Sequence, residues 1–227
     1  MPLEVIYEDN HLIAVNKKSG DIVQGDKTGD EPLSEKVKKF LKEKYNKPGN
    51  VFCGVIHRLD RPVSGVVLFA KTSKALSRMN ELFRTRDVQK VYWALVKEKP
   101  KKEHGTLVNY LVKDEKNNRS KAVSADNKNA LKCELNYELK ASTDNFYLLE
   151  VSPLTGRHHQ IRVQLAAMGS PIKGDLKYGF ARSNKDGSIS LHARKLIFDH
   201  PVSGEKIEIV ANPPDDAVWN ACLKAIA

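Results

Sequence analysis

A carboxylate lies between two arginines in the stretch from Val55 to Lys71. Asp60 has Arg58 before it and Arg61 directly after it, and Pro62 follows. Pro62 has no backbone donor and restricts the preceding residue to extended or turn geometry, so the pattern predicts a loop. A carboxylate in this setting can serve a reaction, or it can form a structural ion pair with a neighbouring arginine.

A continuous apolar run from Gly65 to Ala70 follows the loop and predicts a strand that is buried on both faces. Thr72 and Ser73 are favourable N-cap residues for a helix that the next apolar periodicity predicts. Two short apolar runs near the start of the chain, Glu4 to Tyr7 and Leu12 to Asn16, predict a β-hairpin. These elements would give the polar loop a rigid base.

A second polar stretch, from Thr155 to Gly169, is rich in side chains that could bind an anion or move a proton. The pair Thr155-Gly156 predicts the start of a helix, and Gly169 predicts its end. Arg162 lies one helical turn from His158 on this predicted helix. The polar members of the stretch are Arg157, His158, His159, Gln160 and Arg162.

The remaining patterns predict an α+β fold, a mainly antiparallel mixed β-sheet core with about four flanking helices. We expect one domain over residues 1–227. Ser34 is the predicted N-cap of the first helix, and two basic clusters, Lys97 to Lys102 and Asp114 to Lys121, are predicted in loops. The further predicted strands are Val88 to Lys97, Gly105 to Val112, Lys132 to Lys140, Phe146 to Val151, Lys195 to Phe198 and Lys206 to Ala211.

Composition favours an anionic partner. Lys and Arg number 38 against 28 Asp and Glu, a formal net charge of +10, which points to nucleic acid first and to a membrane surface second. The chain has no apolar span long enough to cross a bilayer and no signal peptide pattern at its start. Its three scattered cysteines (Cys53, Cys133 and Cys222) predict a reducing compartment, so we expect a cytoplasmic protein.

Three functions compete at this point. A metal hydrolase would use His57, Asp60, His158, His159 and His192, but no pair of them has a recognised ligand spacing. A basic RNA-binding module without chemistry would explain the charge and leave the two polar motifs unexplained. An enzyme that acts on RNA through Asp60 would use both motifs.

Two long motifs resemble those of the RluA-like family of RNA pseudouridine synthases. H-R-L-D-R-P-V-S-G-V-V-L-F-A-K at 57–71 resembles the first, and T-G-R-H-H-Q-I-R-V-Q-L-A-A-M-G-S-P-I-K-G-D at 155–175 resembles the second. The segments at 90–96 and 191–205 resemble the family's intervening and C-terminal motifs, in the same order. The resemblance spans the chain from Glu4 to Pro214, with small departures at Val63, His158 and Gln164.

The resemblance implies an enzyme that isomerises uridines of ribosomal or transfer RNA to pseudouridine, with no cofactor and no metal. It implies that Asp60 is the catalytic carboxylate, acting as a nucleophile or as a base at the ribose. Tyr92 would lie against the target uracil, and Arg162 would pair with Asp60 and hold it ionised. The alternative for Tyr92 is an ordinary aromatic residue packed in the core, and the alternative for Asp60 is a structural ion pair with an arginine.

The resemblance also implies which residues contact RNA. Arg58 would fill the space that the flipped base leaves or would contact a phosphate. His57 and His159 are expected to brace loops by hydrogen bonds. Because the chain begins with the catalytic domain's first strands, we expect this domain to make the RNA contacts, as a monomer with no membrane partner. The expected RNA and base contacts are Arg58, His57, Lys90, Arg157, His159 and Gln160.

Overall fold

The structure is a computed structural model that describes residues 3–26 and 28–226. Its strands are β1 (Val5–Glu8), β2 (Leu12–Lys17), β3 (Gly54–Val55), β4 (Ser64–Ala70), β5 (Gln89–Val96), β6 (His104–Asp114), β7 (Arg119–Val123), β8 (Leu131–Ser142), β9 (Tyr147–Pro153), β10 (Leu191–Asp199) and β11 (Lys206–Val210). Its helices are α1 (Leu33–Lys44), α2 (Ser73–Thr85), α3 (Gln160–Ala167) and α4 (Ala217–Ile226), and Leu176–Tyr178 forms a single 3-10 turn. The predicted α+β class is confirmed.

The chain divides into two compact units. The first unit comprises Met1–Lys90 and Ala193–Pro213, and the second comprises Val91–His192 and Pro214–Ala227. The chain therefore enters the second unit within β5, leaves it within β10 and returns to it at Pro214. The interpretation of residues 1–227 as one catalytic domain stays a prediction.

In the first unit, β1 and β2 form the predicted hairpin, and β2 pairs with β4 so that Val15 lies beside Val67. Every residue of β4 is buried, as its apolar run predicts. Helix α2 packs against β4 and begins after Thr72, whose hydroxyl accepts the Ala75 backbone N–H. Met79 of α2 is fully buried in this core, a burial that contributes about 1.5–3 kcal/mol.

In the second unit, neighbouring strands pair in the order β5, β9, β8, β6, β7. Alternate residues of β8 are buried (Cys133, Leu135 and Tyr137), which is typical of a strand with one face toward a core. Helix α4 buries Trp219 in a cluster with Trp93 of β5. Helix α3 contributes Val163 to a second cluster that also contains Cys133.

Two predicted helix starts are wrong. Pro32, and not Ser34, is the N-cap of α1. No side chain among the described residues caps the start of this helix, because the N–H groups of Leu33 and Ser34 donate to the carbonyl oxygens of Ile22 and Val23. Helix α3 begins at Gln160, and not at Thr155-Gly156. The Thr155 hydroxyl is bound to β8 instead, where it accepts the Glu134 backbone N–H at 2.9 Å.

The second basic cluster, Asp114 to Lys121, was predicted in a loop, and this is wrong for its last residues, which belong to strand β7. β7 pairs with β6, and Val112 lies opposite Lys121. Ser120 is the buried residue of β7, and its neighbours are exposed and polar, so the strand lacks an apolar period.

The three cysteines are free thiols. Burial raises the pKa of Cys53 to about 12 and also raises the pKa values of Cys133 and Cys222, so all three are poor nucleophiles at neutral pH. Within residues 3–26 and 28–226, no helix is long and apolar enough to cross a membrane.

Candidate active site

The loop that carries Asp60 is fixed by its backbone. The Val63 N–H donates to the Asp60 carbonyl oxygen at 3.0 Å and closes a tight turn, and the Gly20 N–H donates to the Arg61 carbonyl oxygen at 2.9 Å. The Asp60 side chain is half-buried, whereas Arg58 and Arg61 are exposed. The turn therefore holds the carboxylate at a defined place while its side chain remains accessible.

A buried ammonium group anchors the same loop. Lys17, at the end of β2, is 1% exposed, and its Nζ donates to the carbonyl oxygens of Arg61 at 3.1 Å and Val63 at 2.7 Å, and to that of Lys18 at 3.0 Å. Burial lowers the pKa of Lys17 to about 8, although the charges of Asp21 and Asp60 oppose this effect. All three ammonium protons are thus donated to backbone carbonyl oxygens, and two of these oxygens belong to the Asp60 loop.

Gly65 allows β4 to start directly after the loop. Its φ is +117°, a region that disfavours side chains, and an added Cβ would lie 2.3 Å from the Ala193 carbonyl oxygen. Strand β10 therefore approaches the loop's exit so closely that only glycine fits. This close contact fixes where the strand behind Asp60 begins.

His57 and Lys90 are two further residues of the first unit that the sequence predicts to contact RNA. The His57 Nε2 accepts the Leu68 N–H at 3.1 Å, and its ring stacks on Phe83 with centroids 5.1 Å apart. Burial, with a smaller contribution from Lys90, lowers the pKa of His57 to about 4, so the ring is neutral at pH 7. This geometry favours the bracing role. The pKa of Lys90 is lowered by burial and by Arg86, and the lysine is still partly exposed.

The Arg61 guanidinium faces the long loop after β2. Its Nε donates to the Gly20 carbonyl oxygen at 3.1 Å, and its Nη2 forms an ion pair with Asp30. These contacts make Arg61 a framework residue. Arg58 is exposed on the same loop, and its contact with RNA stays a prediction.

Tyr92 belongs to the second unit, where it lies near the start of β5. It is half-buried and stands opposite Val151 of β9 in an antiparallel pair. Its neighbours Val91 and Trp93 are buried, and so is Ala94, the next residue on the same face of the strand. Tyr92 is therefore partly exposed where the covered part of β5 begins.

Arg162 on α3 makes a two-point ion pair with Asp175. The Arg162 Nε donates to the Asp175 Oδ2 at 2.7 Å, and its Nη2 donates to Oδ1 at 2.9 Å. The two residues are 5% and 1% exposed, so the pair is buried. A planar guanidinium held at two points has a fixed orientation, and its remaining N–H groups are aimed by that pair.

Tyr178 joins the histidines of the second motif to this ion pair. Its hydroxyl accepts the Ser120 N–H at 2.9 Å and lies 2.8 Å from the His159 Nδ1. The Arg162 guanidinium lies 5.0 Å from the centre of the Tyr178 ring. Burial raises the pKa of Tyr178, so its hydroxyl stays protonated at neutral pH. His159 has a left-handed backbone (φ 54°), and these contacts hold that uncommon geometry at the start of α3.

Gln160 and Arg157 differ in exposure. Gln160 is 4% exposed; its Oε1 accepts from the Thr155 hydroxyl at 2.7 Å and from the Arg157 N–H at 3.0 Å, and its Nε2 donates to the Glu134 carbonyl oxygen. Gln160 therefore ties α3 to β8, and a direct contact with RNA stays a prediction. Arg157 is exposed, and its Nε donates to the Lys132 carbonyl oxygen at 3.4 Å; its contact with RNA stays a prediction.

The residues that suggested a metal hydrolase lie in different settings. The His158 ring stacks on His159 with centroids 3.8 Å apart, and His192 is fully buried with Trp219 against its ring. Across the described residues, no three His, Cys, Asp or Glu side chains are grouped as a metal site requires.

Three residues of this site were not singled out from the sequence: Lys17, Asp175 and Tyr178. A single lysine that ends an apolar run is typical of a strand leaving a sheet, and it gives no hint of burial. Asp175 is the last residue of the second motif, and that position was the available signal. Tyr178 lies in a short turn, where nothing in the local pattern predicts its contacts.

Comparison with known proteins identifies the family. Residues 11–167 match the family described as RNA pseudouridylate synthase. The chain belongs to the RNA pseudouridylate synthase family. Members of this family isomerise uridine in RNA to pseudouridine, and this chain is an RNA pseudouridine synthase, as the two motifs predict.

Individual relatives agree with the family assignment. The chain is 32% identical over 219 residues to an uncharacterized RNA pseudouridine synthase of Bacillus subtilis, covering 95% of this chain and 71% of that protein. It is 34% identical to the ribosomal large subunit pseudouridine synthase C of Vibrio cholerae, covering 91% of this chain and 64% of that protein. The tRNA pseudouridine synthase C of Haemophilus ducreyi is 35% identical, with coverage of 93% and 91%.

A solved structure of human RNA pseudouridylate synthase domain containing 4 has the same fold. It matches with a TM-score of 0.80 at 25% identity, covering 98% of this chain and 92% of that one. The chain spans about two thirds of the length of several curated relatives, among them the Vibrio cholerae synthase.

Proposed function

We propose that this RNA pseudouridine synthase acts on ribosomal or transfer RNA and that Asp60 is its catalytic carboxylate. The observation that carries the proposal is the support of Asp60. A tight turn and the buried Lys17 ammonium hold its loop inside the segment that matches the family. The relatives that bear on the RNA class are a ribosomal large subunit synthase and a tRNA synthase.

The proposed reaction breaks the glycosidic bond of a uridine, turns the uracil and joins it again through carbon 5. Asp60 attacks the nucleoside or removes a proton from its ribose, and both roles require the ionised carboxylate. Tyr92 lies against the uracil and handles a proton. Arg162 holds Asp60 ionised, and its two-point pair with Asp175 keeps the guanidinium oriented for this task.

The target base leaves its stack before it reacts, at a cost of a few kcal/mol. Arg58 fills the vacated space or contacts a phosphate beside it, Lys90 and Arg157 contact phosphates, Gln160 contacts the RNA beside them, and His57 and His159 brace the loops. The enzyme is a monomeric, cytoplasmic protein of one domain that needs neither a metal nor a cofactor. Added EDTA is therefore expected to leave turnover unchanged.

The test is a tritium-release assay on ribosomal and transfer RNA labelled at carbon 5 of uridine. The Asp60→Asn variant is expected to lose turnover by at least about a thousandfold, as expected when an acid–base or nucleophilic group is removed, and to keep its RNA affinity. Asp199→Asn is the matched control, because Asp199 is an exposed aspartate of the same unit. Near wild-type turnover in Asp60→Asn contradicts the proposal, and whichever RNA releases tritium assigns the class.

A further inference from the structure

The second unit contains a pocket that the proposed reaction does not use. Its volume is about 650 Å³, within the usual range for pockets that hold a small ligand. Phe146, Phe180 and Pro171 supply its apolar surface, and Lys97 and Arg182 lie on its rim. Glu98 is its one acidic lining residue among those described.

The two aromatic rings are held by the backbone and remain partly exposed. The Phe146 N–H donates to the Thr143 hydroxyl at 3.1 Å, and the Phe146 carbonyl oxygen accepts from Thr143 in return. The Phe180 N–H donates to the Asp175 carbonyl oxygen at 3.0 Å. Neither ring is buried in the core. The backbone at both positions is therefore fixed, and both side chains are partly exposed.

Cationic side chains lie near the rings. The Lys173 Nζ lies 5.8 Å from the centre of the Phe146 ring, and Lys97 begins a basic loop that continues to Lys102. Two acidic residues belong to that loop's surroundings, Glu98 and Glu103, and the latter is bound to Lys99. An aromatic platform with a cationic rim suits a nucleobase on the rings and its phosphate on the rim.

The pocket is connected to β5, the strand that carries Tyr92. Ile172 forms a β-bridge with Val96, and the Lys173 N–H donates to the Leu95 carbonyl oxygen at 2.8 Å. Along an extended strand, Tyr92 and Val96 are about 13 Å apart. A strand of RNA whose target uridine meets Tyr92 can therefore reach the pocket with a nucleotide a few positions away.

We propose that this pocket binds one unpaired nucleotide of the substrate RNA, with its base on Phe146 and Phe180 and its phosphate near Lys97 and Arg182. This inference rests on the proposed function for the identity of the ligand. The pocket would then select among RNAs, because a nucleotide that is base-paired in a duplex cannot enter it. A free nucleotide has the same chemistry, and the experiment separates the two sources.

The probe is a single-stranded oligouridylate of about twelve nucleotides with 5-iodouridine at single positions, irradiated with the full chain. Crosslinked peptides are identified by mass spectrometry. Crosslinks at Phe146 or Phe180 are the expected result. Crosslinks confined to other residues would overturn the proposal.

Binding of the same oligouridylate, labelled with fluorescein, tests the rings quantitatively. The double variant Phe146→Leu/Phe180→Leu keeps apolar volume and loses both rings, so its affinity is expected to fall about tenfold or more. The double variant Phe146→Tyr/Phe180→Tyr keeps stacking surface and should bind like the wild type. Phe52→Leu removes an exposed ring from the first unit and is the matched control. An affinity of the leucine variant within twofold of the wild type would also overturn the proposal.

Two further arms separate the alternatives. Uridine monophosphate is added as a competitor of the labelled RNA. If it abolishes the crosslinks at concentrations far below that of the RNA, the pocket prefers a free nucleotide and the RNA assignment fails. The crosslinks are also mapped in Asp60→Asn. Lost turnover with intact crosslinks is the expected result there, whereas intact turnover in Asp60→Asn with intact crosslinks contradicts the proposed function alone.

Discussion

The two motif regions are held in place by different means. The Asp60 loop of the first unit depends on backbone contacts, with one buried ammonium and a glycine at its exit. The segment from Thr155 to Tyr178 in the second unit depends on buried side chains, above all the Arg162–Asp175 pair. Arg58, Asp60 and Arg61 on the first are exposed or partly exposed, whereas the buried side chains of the second also stabilise the fold.

This difference predicts how substitutions behave. On the Asp60 loop, exchanging an exposed or half-buried side chain should change activity and leave the free energy of unfolding almost unchanged. In the segment around α3, activity and stability should fall together, because the same buried groups serve both. The four predictions that follow test this contrast.

The largest expected effect is that of Arg162→Met. It leaves the Asp175 carboxylate buried and unpaired, which should cost about 3–5 kcal/mol of unfolding free energy besides abolishing most turnover. Arg162→Lys should restore only part of the unfolding free energy and of the turnover, because an ammonium cannot make the two-point contact. Urea denaturation and tritium release measure the two effects. A cost below about 1 kcal/mol would show that the second region is not held by this pair.

Lys17→Met should change how stability depends on pH. Below pH 8 the lysine is protonated in both states; between about pH 8 and its ordinary value near 10.5 the folded form has lost the proton that the unfolded chain still binds. Unfolding free energy therefore rises with pH in this window, by up to about 3 kcal/mol from this group. Across this window, the unfolding free energy of the wild type should rise by that amount relative to the unfolding free energy of Lys17→Met. Lys18→Met, its exposed neighbour, should show no such growth.

Tyr92→Phe should separate chemistry from packing. The ring remains on β5 beside Val151, so the free energy of unfolding should change by less than about 1 kcal/mol. Product formation should slow or stop if the hydroxyl handles a proton, while RNA affinity persists. Equal turnover would confine Tyr92 to stacking, and a marked loss of thermal stability would make it a core residue.

The smallest expected change is in Arg58→Gln, which should leave stability intact. If Arg58 contacts a phosphate, the slope of log affinity against log salt should decrease by about one unit. If it fills the space of the flipped base, turnover should fall while the slope stays unchanged. A loss of folding stability would instead break the contrast between the two regions.

Short-range chemistry accounts for what the sequence predicted well. Strand β4 follows from an unbroken apolar run, and Thr72 caps α2 through a hydroxyl three residues from its donor. The hairpin of β1 and β2 follows from two apolar runs and a polar turn. In each case the deciding interaction lies within a few residues, where pattern is informative.

The failures involve partners that are distant in the chain. Thr155 favours a helix start by type, yet the Glu134 backbone of another strand takes its hydroxyl. Lys17 is typical of a solvent-facing strand end, and its burial depends on carbonyl groups at residues 61 and 63. The candidate residues Asp60, Tyr92 and Arg162 came from the motifs, whereas the groups that hold them came only from the three-dimensional contacts.

The contact between Gly65 and Ala193 has a consequence for the order of folding. A ribosome delivers the Asp60 loop early, but the strand segment against which Gly65 closes emerges only after all of β5 to β9 has been made. Such a long loop closure carries an entropic cost and slows folding. During synthesis, the exposed edge of β4 is open to wrong pairing until residue 193 arrives. A nascent chain stopped before β10 is therefore expected to lack activity and to aggregate, and activity should appear only when β10 has left the ribosome.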